Sequence, residues 1–110
     1  MKTLFELEGA FSTTSITDLD ITVRDKSGAL TNPSEITATL YVKDSIGTGY
    51  TPTSYKDLSP TNDTTGHFYV DIGLYSIVLS IGEYKIEWSI KLDSTHNLTA
   101  HHAFFSVVKV

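Results

Sequence analysis

The chain has 110 residues, no cysteine and a formal net charge of -5, the size of one domain that closes roughly two-thirds of its unfolded surface without disulfides or Cys-based zinc sites. Its 8 Lys and Arg, set singly among 13 Asp and Glu, argue against a generic nucleic-acid surface. Glu6 and Glu8 interrupt the start MKTLFELEGAF where a signal peptide needs an apolar core, and no apolar run approaches the ~20 residues of a membrane span, so the expectation is one domain over 1–110, made in a cytoplasm, with neither membrane nor nucleic acid as partner.

Alternation with period two dominates, and helical periodicity is nowhere convincing. Residues 17–24 place Leu19, Ile21 and Val23 on one face and Asp18, Asp20, Thr22 and Arg24 on the other, a strand with one wet side. It stops at Asp25-Lys26-Ser27-Gly28, where Asp bonds the following backbone and Gly supplies a positive φ. Asn32-Pro33 then keeps the connection extended. Residues 35–43 alternate again, with Ile36, Ala38, Leu40 and Val42 against Thr37, Thr39, Tyr41 and Lys43. From 44 to 65 Gly, Ser, Thr, Pro and Asp prevail, which reads as loop with one short edge strand over 54–58.

Order restarts at Gly66, where Phe68, Val70 and Ile72 alternate with His67, Tyr69 and Asp71. Residues 74–81 are apolar without clean alternation and read as a packed crossover between sheets. Tyr84, Ile86, Trp88, Ile90 and Leu92 then line one face of the best strand, opposite Lys85, Glu87, Ser89 and Lys91. Residues 93–97 are a polar turn and 98–110 the last strand. About seven short strands with turn signals between them point to an all-β, immunoglobulin-like antiparallel sandwich of two sheets. A small barrel uses the same alternation, and the sequence leaves it open as the alternative.

Gly82-Glu83-Tyr84 opens the best strand with a tyrosine where immunoglobulin-like sandwiches keep their corner, its hydroxyl bonded to backbone leading into its own strand. Two residues on, where an antibody domain has Cys, Ile86 stands, so packing replaces a bridge. Tyr84 and Trp88 therefore read as core.

The order Val23-x-Asp25-x-x-Gly28, Asn32-Pro33, Thr65-Gly66-x-Phe68, Gly82-x-Tyr84-x-x-x-Trp88 and Phe105-x-Val107 resembles the small immunoglobulin-like virion proteins of tailed bacteriophages, over about 17–110. Phe68 departs from a more usual tyrosine. The resemblance implies a non-enzymatic structural or adhesion component of the neck, capsid decoration or tail, located in the virion. Its partners would be other virion proteins and copies of itself, and it implies no catalytic residues and no cofactor. A start at Met1 and an end inside a strand pattern are read as a complete small virion protein rather than a module of a longer adhesin.

Chemistry-bearing clusters are sparse. His101 and His102 face opposite ways on a strand and cannot share a metal without a bend; with His67 and His96 they read as surface or satisfied groups, so no metal site is expected. Asp18 and Asp20 share a face, which a solvated strand side explains. No phosphate loop, nucleophile elbow or paired base occurs. The sequons at Asn62 and Asn97 would serve only on a secretory route.

The candidates for partner binding are aromatic and apolar. Tyr50 and Tyr55 sit in the longest polar stretch, where tyrosine gives contact area at low entropy cost, and Tyr41 lies on the outer face of its strand. The last strand has no wet side, since Phe104 and Val108 oppose Phe105 and Val107, as in strands covered on both faces. Either a subunit or partner contact, or the chain's own loops or its N-terminal segment 4–7, covers Phe104 and Val108. The rival reading is a carbohydrate- or host-receptor-binding module that stacks Tyr50 and Tyr55 on a surface glycan.

Overall fold

The computed structural model describes residues 2–7, 10–12, 19–44, 49–71, 74–75, 77 and 79–109, with side chains from residue 19 onward except Lys109. The readings placed on Asp18, Ile72, Val110 and part of 44–48 lie outside the described residues. Among the described residues nine strands follow one another: β1 (Lys2–Leu7), β2 (Ala10–Ser12), β3 (Asp20–Thr22), β4 (Glu35–Lys43), β5 (Tyr50–Pro52), β6 (Thr61–Thr64), β7 (His67–Tyr69), β8 (Gly82–Lys91) and β9 (Thr99–Lys109). Their orders are β2-β1-β9-β8-β4-β5 in a large sheet and β3-β7-β6 in a small one.

The seven strands from β3 onward pair with one another only antiparallel, four in the large sheet and three in the small, so the expected two-sheet sandwich is the fold. Chain order crosses between the sheets as in immunoglobulin domains, where early and middle strands form one layer and the strand after the first turn joins the last two in the other. The large sheet is then extended by β1, which runs parallel to β9 with Phe5 opposite Val108, and by β2 turning back on it. The N-terminal segment thus lies beside the last strand in the same sheet, not across its outer face.

Alternation decides what lies between the sheets. Leu19, Val23, Phe68 and Val70 from the small-sheet side meet Leu40, Ile86, Trp88, Phe105 and Val107 from the large one, each almost fully buried. Each such side chain contributes about 1.5–3 kcal/mol by leaving water. The crossover buries Ile77 and Leu79 while Leu74 and Ile81 face solvent. Its end is fixed by Tyr84, whose hydroxyl donates to the Ser80 carbonyl at 2.7 Å while its ring stacks on Phe105 at 5.5 Å.

The turns show why the elements stop. Asp25 Oδ1 accepts from the Ser27 amide and hydroxyl and from the Ala29 amide, and Gly28 takes φ +88°. Those bonds, the Ser27 hydroxyl's foremost, hold the Asp25 carboxyl below its usual range. Asp93 repeats the device with Thr95 and His96. Asn32 reaches across the fold to accept from the Gly66 amide at 2.7 Å.

The 44–65 stretch departs from the expected loop. The edge strand is β5, earlier than 54–58, and β6 follows. Residues 53–58 instead run along β4 irregularly: Thr53 Oγ1 donates to the Leu40 carbonyl, Asp57 adopts φ 52°, and Leu58 forms an isolated bridge with Ala38. The left-handed Asp57 breaks strand geometry, yet it lets Leu58 reach the core at 8% exposure.

Candidate interaction surface

On the outer face of the large sheet, three of the five candidate residues come together in one cluster. Register places Tyr41, Lys85 and Phe104 in one row across β4, β8 and β9, and Lys43 beside Tyr50 of β5. Three strand intervals, roughly 14 Å, separate β5 from β9, yet the Tyr50 and Phe104 rings lie 5.6 Å apart at 55°. Both side chains therefore lean inward over β4 and β8, and Lys85 lies beneath them, its Nζ 4.9 Å from the Tyr41 ring centre and 5.5 Å from that of Tyr50. A cation over aromatic faces gains about 0.5–1 kcal/mol at such exposed positions.

Polar groups lock the cluster from below. Lys85 Nζ lies 3.2 Å from His102 Nδ1, and His102 Nε2 lies 3.1 Å from Glu87 Oε2. Ammonium donates only, so Nδ1 accepts and Nε2 carries the proton that goes to Glu87. Tyr41 Oη donates to the other Glu87 oxygen at 3.4 Å; burial first, and then the Glu87 charge, raise the Tyr41 phenol above its usual value. Lys43 and Glu83 pair at 2.8 Å one row along. The result is an aromatic patch held on a charged sheet, with Phe104 still 49% exposed.

The other candidates separate. Val108 shares the outer face of β9 but is half-buried, at the register position of Phe5 on β1. Tyr55 packs against the core from the 53–58 segment, so it does not join Tyr50. Lys85, Glu87 and His102 carry the patch and are not among the partner-binding candidates read from the sequence, where His102 is weighed only as a metal ligand. Their signal was the period-two outer face of β8 and β9, whose pairing with Tyr41 depends on register.

The histidines are dispersed. His101 Nε2 lies near Thr99 Oγ1, and His96 Nδ1 lies 2.6 Å from Asp93. His67 is held from both sides, by Asp20 at 2.8 Å and by Asp63 at 2.6 Å. Asp63 is the extra residue at the register shift between Asn62 and Thr64, and a bulge of this kind re-aims a side chain. The two carboxylates, that of Asp20 first, raise the His67 pKa; with both ring nitrogens facing carboxylate oxygens, which only accept, the ring ties β3, β7 and β6 together and offers no free lone pair. Among the described residues no cluster of three His, Cys, Asp or Glu side chains is placed to hold a metal.

The Asn62 amide nitrogen donates to the Thr64 and His67 carbonyls at 2.6 and 2.8 Å, so a glycan there would cost those bonds. No helix among the described residues is long and apolar enough to cross a membrane. No protein-family model, curated protein or solved structure matches the chain.

Proposed function

We propose that the chain is a non-enzymatic structural or adhesion component of a tailed-phage virion, joining other virion proteins and copies of itself through the outer face of its large sheet. The virion setting rests on the resemblance of its turn and strand signals to small phage sandwich proteins, and the neck, capsid decoration or tail are its candidate places. The contact role rests on one observation: Tyr41, Tyr50 and Phe104 converge over Lys85 on a sheet face that also carries Lys43, Glu83 and Glu87, with Phe104 half-exposed. The exposed aromatic rings supply the kind of residue enriched at contact centres, and the salt-bridged residues beside them the polar rim. Tyr55 has no part in this surface, which weakens a sugar platform built from Tyr50 and Tyr55 together.

Light scattering of the chain alone and mixed with the proteins encoded beside it tests the proposal. Complexes that form with wild type and are lost with Phe104→Asp support it. A chain that stays monomeric and joins none of them overturns it. Glycan binding abolished by Tyr50→Ala would move the assignment to the receptor-binding reading.

A further inference from the structure

At the end of the sandwich remote from the Tyr84 corner, a cavity of about 280 Å³ opens between the sheets. Ile21 and Val23, from β3 and the residues after it, face Ile90 and Leu92 at the end of β8. Val23 and Ile90 are buried, and Ile21 and Leu92 pack against the core from partly buried positions. The rim comes from Arg24, from His96 and Asn97 of the β8–β9 turn, and from Thr99 and His101 of β9. Both sheets therefore contribute to the apolar floor and to the polar rim, as in ligand pockets with a few convergent polar groups.

The charge of this lining is opposite to that of the chain. The molecule carries -5 with histidine neutral, yet among the described residues the cavity is lined by one arginine and by no carboxylate. Asp93, just outside, is occupied by Thr95 and His96. Arg24 Nη1 donates to the Gly28 carbonyl at 2.9 Å, which fixes the head while leaving further N–H groups in the fork that suits a carboxylate. Asn97 and Thr99 add neutral hydrogen-bonding groups beside it.

We propose that this cavity binds a small amphipathic carboxylate, with its hydrocarbon on Ile21, Val23, Ile90 and Leu92 and its carboxylate on Arg24. The volume lies just below the range of ligand pockets, which starts near ~300 Å³, so the ligand is a short acid and not a polymer segment. This site is independent of the outer-sheet contact surface and stands whether or not that surface assembles.

The test is a titration of the full-length chain followed by amide chemical shifts, with hexanoate, its neutral analogue hexanamide, and acetate as probes. Saturable shifts should concentrate at 21–24, 90–92 and 96–101. Hexanoate should bind about tenfold more tightly than hexanamide, as expected when a charge-assisted bond is lost, and acetate, lacking the hydrocarbon, should be weaker than hexanoate. Arg24→Gln should bring hexanoate to the level of hexanamide. Equal binding of hexanoate and hexanamide, unchanged hexanoate binding in Arg24→Gln, or no saturable shift at these amides would each overturn the assignment. The probe series on wild type decides the matter even if the variant is unstable.

Discussion

Tyr84→Phe isolates the contribution of one hydroxyl. Tyr84 is 4% exposed, its ring stacks on Phe105 at 5.5 Å, and its oxygen donates to the Ser80 carbonyl at 2.7 Å. Phenylalanine keeps the ring and the stack and removes the bond. A hydrogen bond of this kind contributes about 1 kcal/mol net, and an abandoned buried acceptor about 1–3 kcal/mol. Ser80 is exposed, so water can satisfy its carbonyl, and the expected loss is about 1–1.5 kcal/mol. For a domain of this size that lowers Tm by roughly 4–8 °C. Urea unfolding should show a lower midpoint at an unchanged m-value, because the buried surface is the same. Tyr41→Phe serves as the control: its 3.4 Å bond to Glu87 lies on the outer face, and the change should stay within about 0.5 kcal/mol. If Tyr84→Phe cost no more than Tyr41→Phe, the crossover would not be anchored by the tyrosine corner.

The remaining predictions concern the turns and the small sheet. Gly28→Ala and Gly66→Ala both force a positive φ, +88° and +79°, but an added Cβ at 28 meets open space while at 66 it comes 2.7 Å from the Val23 carbonyl. The first should cost about 1 kcal/mol and the second at least ~2 kcal/mol, as read by denaturant midpoints; equal costs would contradict the close approach. His67 is raised above 6.5 by Asp20 and then Asp63, while Asp63 is lowered below 3.8 chiefly by His67. The histidine's contribution is complete below its unfolded value and lost as pH rises through its raised folded one. That of Asp63 is present above its ordinary value and lost as pH falls through its depressed one. The Tm difference between wild type and His67→Gln should therefore peak between about pH 4 and 6.5, and a difference that grows toward pH 9 would refute the ion-paired tie.

What could be read from sequence followed from physics acting within a few residues. The alternation of Tyr84, Ile86, Trp88 and Ile90 announced a half-buried strand because side chains on one face of a strand share one environment. Asp25 and Gly28 announced a turn because their side-chain chemistry closes it locally. The short strands β5 and β6 were read as loop because Thr, Pro, Asn and Asp carry no apolar alternation; their pairing depends on neighbours brought up from elsewhere. The parallel docking of β1 on β9 joins the two ends of the chain and leaves no local mark. Of the interaction surface, Tyr41, Tyr50 and Phe104 were each legible as exposed aromatics. Their meeting over Lys85 was not, because it requires the register of three strand pairs and side chains that lean across two of them. Tyr55 looked equivalent to Tyr50 in composition, and only the return of 53–58 along β4 turned it toward the core.

Lysine footprinting before and after assembly with the proteins encoded beside this chain tests the proposed contact face most directly. Lys85 lies among Tyr41, Tyr50 and His102 on that face, whereas Lys26 is exposed in the turn after β3. The proposal predicts that Lys85 and Lys43 lose reactivity on assembly while Lys26 keeps it. Assembly that shields Lys26 and leaves Lys85 as reactive as in the free chain would contradict it.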